Sequence, residues 1–204
     1  MKVFIASADN LTKKMFRRNG WDVLPYLNNP DLVCFTGGAD VHPQLYHEAL
    51  HPRTFCDSYR DTSDSQVFDI CIENDIPMVG ICRGGQFLNV MSGGRMYQDC
   101  DGHTSSHSIK DILTGSEIFS SSTHHQMMRP SNTADIIAIA QEAFRKEYMG
   151  EDEKVVLIDS IDDDDVEVCY YKATRSLCFQ PHPEFDGFEE LENYFFDLIT
   201  CYLI

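Results

Sequence analysis

Along the first half of the chain, short apolar runs alternate with stretches whose apolar positions recur every three to four residues. "KVFIA", "DLVCF" and "IPMVGI" are apolar runs of strand length. Runs without a polar alternate suit strands buried on both faces. "LTKKMFRRNGW" follows the first run as an amphipathic helix ended by Gly20, and "RGGQFLNVM" follows the third. Between them, "DTSDSQVFDICIEND" opens on Asp61, Thr62 and Ser63 as cap candidates and carries Val67, Ile70 and Cys71 on one face, which predicts a further helix. Residues 41 to 60, rich in His, Pro and Tyr, predict a long ordered loop. The second half turns β-rich, with "GGRMYQD", "HSIKDIL", "ADIIAIAQ", "VEVCYYKA" and "SLCFQ" before a last amphipathic helix, "FEELENYFFDLITCYL". This order predicts an α/β protein: a mostly parallel central sheet flanked by helices, with additional β-rich segments in the C-terminal half. There is no internal repeat and no linker, so residues 1–204 read as one domain.

Composition narrows the function. The formal net charge of -17 argues against a face that neutralises nucleic-acid phosphates or docks on anionic membranes. No run approaches the roughly 18 apolar residues of a spanning helix, and "MKVFIASADN" is too short for a signal peptide's apolar region. A cytoplasmic location is the expectation. Eight cysteines without a Cys-x-x-Cys pair then read as reduced thiols. The acidic run "DSIDDDD" (159–165) reads as a solvated turn, since it lacks the ligand spacing of a calcium loop.

One of those thiols stands apart. Gly80-Ile81-Cys82-Arg83-Gly84 has the Gly-x-nucleophile-x-Gly form of a strand-to-helix elbow. Such a turn exposes its central side chain at the carboxyl end of a strand. The first N–H groups of the following helix then stabilise thiolate and a developing oxyanion. A cysteine nucleophile needs a base and the base an orienter. His182 and Glu184, two apart in "FQPHPEF" after the strand "SLCFQ", offer both. "LVCFTGGAD" ends a second strand in Gly37 and Gly38, whose bare backbone can supply another oxyanion donor, and "SSSTHHQ" adds polar residues at a third strand end.

Together these segments resemble the class I glutamine amidotransferase superfamily, especially its γ-glutamyl hydrolase branch, which is peptidase C26-like. "GICRGGQFLNVMSGGRMYQD" is similar to the branch's nucleophile motif, "GGADVHPQLY" to its oxyanion strand, "YRD" (59–61) to the lead into the next helix, "SSTHHQ" to the segment beside the bound glutamyl group, and "FQPHPE" to its His-Glu pair. The resemblance implies a flavodoxin-like fold with Cys82, His182 and Glu184 as the catalytic triad. Gly38 and Arg83 would give backbone oxyanion donors, with Gly37 shaping the loop. Gln86, Ser122, Thr123 and His124 would hold the α-amino and α-carboxylate groups of glutamine or a γ-glutamyl compound. No cofactor and no metal is implied; a site built from His103, His107, His124 and His125 is the alternative weighed against that. The chain departs from the family pattern at Ser121, at Pro181, and at Gly85, where a larger residue is common and an altered pocket wall is expected. The function expected is a glutaminase working through a Cys thioester and passing ammonia to a separate ATP-dependent synthetase. A free-standing γ-glutamyl hydrolase is the alternative, and an inactive scaffold the third reading.

Overall fold

The computed structural model describes residues 1–7, 9–159 and 164–204. In the N-terminal half, β1 (Lys2–Ile5), α1 (Asn10–Arg18), β2 (Asp22–Leu24), β3 (Leu32–Phe35), α2 (Ser58–Glu73), β4 (Met78–Ile81) and α3 (Arg83–Met91) alternate as the hydrophobic pattern requires. Ten further strands follow: β5 (Arg95–Tyr97), β6 (Asp99–Cys100), β7 (His107–Asp111), β8 (Glu117–Ser120), β9 (Met127–Arg129), β10 (Asp135–Ala140), β11 (Lys146–Met149), β12 (Val155–Ile158), β13 (Val166–Tyr171) and β14 (Ser176–Phe179). Helix α4 (Glu189–Tyr202) comes after them.

The main sheet runs β2-β1-β3-β4-β14-β13-β10-β7-β8, with β9 and β5 attached beside β13. Its half from β2 to β14 is parallel, and from β14 onward neighbours are antiparallel. The parallel strands β3, β4 and β14 are buried along their whole length, as sheet strands covered on both faces must be. One core packs Met15 and Phe16 of α1 with Leu191, Phe195 and Ile199 of α4. The other packs Phe68 and Cys71 of α2 with Phe87 and Leu88 of α3. Each helix pair thus covers one face, and the strand ends between the layers are free for a site.

Three expectations need correcting. Helix α2 begins at Ser58, capped by Asp57, whose side chain accepts from the Tyr59 and Arg60 N–H groups. Asp61 is therefore a buried first-turn residue and not a cap. The stretch 41–60 is not all loop, because Pro43–Tyr46 forms a turn of 3-10 helix. The acidic run is not simply solvated: residues 160–163 lie outside the described residues, but Asp165 is fully buried and ion-paired with Lys146. Strands β12, β11 and β6 form a separate three-stranded sheet that the hydrophobic pattern did not announce. No helix among the described residues is long and apolar enough to cross a membrane.

Candidate active site

Cys82 sits between β4 and α3 with φ 51° and ψ -115°. A side-chain-bearing residue adopts such angles only when its surroundings hold it there. Here they do. The Cys82 N–H donates to the Phe179 carbonyl at 2.8 Å, and the Cys82 carbonyl accepts from the Gln86 N–H at 3.0 Å. Glycine is required on either side. A Cβ on Gly80 would lie 2.2 Å from the Gly84 carbonyl oxygen, and one on Gly84 would lie 2.3 Å from the Phe35 carbonyl oxygen. The elbow is formed by backbone packed directly on backbone.

The parallel neighbour β14 delivers the second group. Its pairing of Phe179 with Ile81 brings the following residues to the same edge as Cys82. His182 Nδ1 lies 2.7 Å from Glu184 Oε1, which leaves Nε2 as the ring nitrogen available to Cys82, a neighbour that raises the ring's pKa. The Phe185 ring stacks on the imidazole at 4.5 Å. Burial disfavours a charged ring, but the hydrogen bonds to Cys82 and Glu184 outweigh it and raise the His182 pKa to about 10. At neutral pH the ring is therefore a cation facing the sulfur. Gly37 closes this arrangement, since a Cβ there would lie 3.0 Å from His182 Cε1 and 3.9 Å from Cys82 Cβ.

Sequence reasoning missed Ser121 as a positioning residue and noted it only as a departure from the family pattern. Its hydroxyl accepts from the His182 N–H at 2.8 Å and donates to the His182 carbonyl at 3.0 Å, which fixes the backbone beneath the ring. It also missed the device that holds the elbow from behind. The buried Arg83 guanidinium pairs with Asp61 and Asp64 of α2. Asp64 in turn accepts from Arg60 Nε at 2.8 Å, and Arg60 donates to the Thr36 carbonyl at 3.2 Å. Helix α2 therefore links the backbone before Gly37 to the first residue of α3. The i, i+4 spacing of Arg60 and Asp64 was the signal available for it.

A cleft of about 240 Å³ opens beside the sulfur, lined by Gly38, Ala39, Asp40, Phe55, Cys82, Arg83, Gln86, Thr123, His124, His125 and Gln126. A larger depression of about 850 Å³ lies around Glu48, Arg95, Arg129 and Tyr148, away from any nucleophile. Of the residues expected to hold a substrate, Gln86, Thr123 and His124 border the cleft. Gln86 is held by its Nε2, which donates to the Gln126 carbonyl and to Gln180 Oε1. His124 is buried and its pKa falls to about 4, because burial disfavours the charged ring. Ser122 is not a lining residue; its hydroxyl donates to the His103 carbonyl at 2.5 Å, behind the cleft wall. Gly38, at φ 154°, takes a backbone conformation suited to glycine and borders the cleft. Gly85 is not a pocket wall: a Cβ there would meet the Phe179 backbone N at 2.8 Å, so its bareness lets α3 approach β14. Burial raises the Cys34, Cys100 and Cys178 thiols well above their ordinary range, and none borders the cleft.

A parallel sheet core flanked by helices, with its strand ends gathered around this cleft, is the architecture of the class I glutamine amidotransferases. A glutamine amidotransferase from Thermotoga maritima superposes with a TM-score of 0.63 at 15% identity, covering 100% of this chain and 86% of that one. The chain belongs to the peptidase C26 family, whose model matches residues 16–184. Among its relatives, the gamma-glutamyl-CDP-amidate hydrolase of Campylobacter jejuni is 28% identical over 122 residues, 57% of this chain and 56% of that protein. The carbamoyl phosphate synthase small chain of Polynucleobacter necessarius is 27% identical over 178 residues, 81% of this chain and 36% of that protein. Curated relatives at 32–39% identity match stretches of 75 to 143 residues, and the chain covers only 31–55% of their length.

Proposed function

We propose that the chain hydrolyses the γ-amide bond of a γ-glutamyl compound through a thioester on Cys82, with His182 and Glu184 completing the triad. The observation that carries this reading is the hydrogen-bonded His182–Glu184 pair set beside Cys82 at the edge of a cleft bordered by Gly38 and the first turn of α3. The sulfur attacks the γ-carbonyl carbon, and the negative charge moves to the carbonyl oxygen. Backbone N–H groups of Gly38 and Arg83 receive that charge, with Gly37 leaving room for the loop. Removing one such donor costs about 3–4 kcal/mol of transition-state stabilisation. His182 Nε2 gives its proton to the departing amine as the carbon–nitrogen bond breaks. Water then enters, His182 takes one of its protons, and hydroxide displaces the sulfur to release the γ-carboxylate and restore the thiolate–imidazolium pair. Glu184 holds the ring's orientation and charge. Gln86 and Thr123 hold the glutamyl end and His124 walls it, while Ser122 serves the wall from behind.

A free-standing γ-glutamyl hydrolase is favoured over the expected glutaminase subunit. The His182–Glu184 hydrogen bond is already made in the chain by itself with Cys82 beside the ring, and Gly85 lends no support to a wall reshaped for glutamine. The hydrolase relative in Campylobacter points the same way. The subunit reading keeps one specific support, the similarity to a carbamoyl phosphate synthase small chain along 81% of this chain.

Steady-state assays of the chain alone on glutamine, γ-glutamyl-γ-aminobutyrate and γ-glutamyl peptides test the choice, with a diazo-ketone glutamine analogue as covalent probe. Turnover of a γ-glutamyl amine well above that of glutamine, and a single adduct on Cys82 by mass spectrometry, is the expected result. Slow glutamine hydrolysis stimulated by an ATP-dependent synthetase would restore the subunit reading. An adduct confined to another cysteine, with no turnover of any of these compounds, would sink the mechanism.

A further inference from the structure

Behind the cleft wall lies a second polar cluster, of which only His124 borders the cleft. His103 in the loop before β7, His107 at the start of β7, His124 beyond β8 and Glu167 in β13 converge there. Donor atoms of His103, His107 and Glu167 all lie within 4.8 Å of one another. Glu167 Oε1 is the common neighbour, at 2.9 Å from His107 Nε2, 3.2 Å from His103 Nδ1 and 4.0 Å from His124 Nε2. Histidine spacing in the sequence suggested His125 for such a set. The structure instead places His125 between Asp40 and Asp99, and β13 supplies the carboxylate.

Two independent observations separate this cluster from an ordinary buried ion pair. First, each imidazole has its outer nitrogen engaged. His103 Nε2 lies 2.8 Å from Asp165 Oδ2, His107 Nδ1 3.2 Å from the Ser105 carbonyl oxygen, and His124 Nδ1 2.9 Å from the Gln126 carbonyl oxygen. A carbonyl only accepts, so neutral His107 and His124 rings carry their proton on Nδ1 and turn the Nε2 lone pair inward. Metal-bound histidines are oriented in this way by their outer partners. Asp165 is itself balanced by Lys146. Second, His103 Nδ1, His124 Nε2 and Glu167 Oε2 are buried without a hydrogen-bond partner among the described residues. Buried polar atoms left without a full hydrogen-bond partner in one cluster call for an electrophile.

We propose that His103, His107, His124 and Glu167 form a structural site for one divalent first-row cation, zinc foremost. Ligands at about 2.0–2.1 Å from a tetrahedral zinc lie roughly 3.3 Å apart. Two of the three separations from Glu167 Oε1 are already near that value, and the His124 ring needs to close by less than about 1 Å. Three imidazoles and a carboxylate fill a tetrahedron and leave no open position for water, which marks a structural rather than a hydrolytic ion. The ion would join β7 and β13 to the segment carrying Thr123, His124 and His125, and so brace one wall of the cleft. His107, whose side chain is 16% exposed, gives the ion its way in.

The alternative occupant is a proton on His103, shared towards Asp165 and Glu167, and the test separates the two. The full chain, prepared without a histidine tag, is stripped with chelator and titrated with zinc and with cobalt(II), alongside elemental analysis of the protein as purified. The site predicts one ion per chain and the visible d–d bands of tetrahedral cobalt without thiolate charge transfer. His107→Ala, at the partly exposed edge and least damaging to the fold, weakens binding at least tenfold, while Cys82→Ser leaves stoichiometry and affinity unchanged. No saturable binding of either ion overturns the proposal. So does undiminished binding in His107→Ala with a native circular dichroism spectrum, or loss of binding in Cys82→Ser, which would put the ion on the thiol.

Discussion

Gly84→Ala adds one methyl group at the place where α3 rests on β3. The new Cβ would lie 2.3 Å from the Phe35 carbonyl oxygen, 2.5 Å from its carbonyl carbon and 2.9 Å from its Cβ. Ordinary contact begins near 3.4 Å. Two of the three obstacles are backbone, so no rotamer change relieves them, and α3 has to withdraw from β3 by about 1 Å. Overpacking of this kind costs about 1–3 kcal/mol, and the backbone clash puts this case near 3. For a chain of this length, that lowers Tm by roughly 6–12 °C. The same displacement moves Cys82 and the Arg83 N–H away from Gly37 and Gly38, and a misplacement of about 1 Å costs about 100-fold in rate. Gly93→Ala is the control. A Cβ there meets nothing within 4 Å, but φ is 94°, so it costs only the local strain of about 1 kcal/mol and leaves the rate alone. Thermal unfolding followed by circular dichroism, and kcat/KM on the preferred γ-glutamyl amine, measure both effects. A Gly84→Ala protein with Tm within about 2 °C of the parent and undiminished kcat/KM would refute the packing argument.

Two other substitutions probe the charged groups. Because the His182 ring keeps its proton below about 10, the parent's pH–rate profile should fall on its alkaline side near that value. In Glu184→Gln that limb should move down towards the ordinary histidine range, with kcat reduced, whereas His182→Ala loses both proton-transfer steps; a parent limb already near 7 would contradict the assignment. Asp64→Asn removes a fully buried charge shared by Arg60 and Arg83. It should cost about 3 kcal/mol in urea unfolding, the low end for a broken buried pair because Asp61 still faces Arg83, and should lower kcat more than it raises KM; an unchanged midpoint would count against the brace.

The parallel half of the sheet and the meeting of Cys82 with His182 and Glu184 were legible because each rests on local chemistry. Continuous apolar runs mark strands buried twice over, and Gly80 and Gly84 mark a turn where no other residue fits. Helix α2 was misread at its start for an equally physical reason. Its inward-facing Asp61 and Asp64 meet Arg83, so the buried face is written in charge and the apolar period is lost. The same blindness hid Glu167, an acid on a strand buried from Val166 to Cys169, and Asp165 at the end of an acidic run. A charge read alone predicts solvent; only its distant partner, Lys146 or a histidine, explains its burial. Strand β2 is three residues at a sheet edge, and β6 is only two residues of the side sheet, too short for a period to register. Ser121 acts through backbone contacts that any small hydroxyl residue can make, which leaves no trace in spacing.

The place of β14 in the sheet has a consequence for how the protein comes into being. It lies between β4 and β13, yet Ser176 pairs with Met78, about a hundred positions earlier, and contacts that distant form late in folding. Until β14 inserts, β4 presents an open edge, and the Cys82 N–H lacks the Phe179 carbonyl that fixes its turn. The inserting strand also carries His182 and Glu184 a few residues behind it. A nascent or partly folded chain therefore holds Cys82 on an unfinished sheet. Under the proposed mechanism, the step that closes the sheet is also the one that completes the nucleophile's surroundings, so a misfolded chain would lack them.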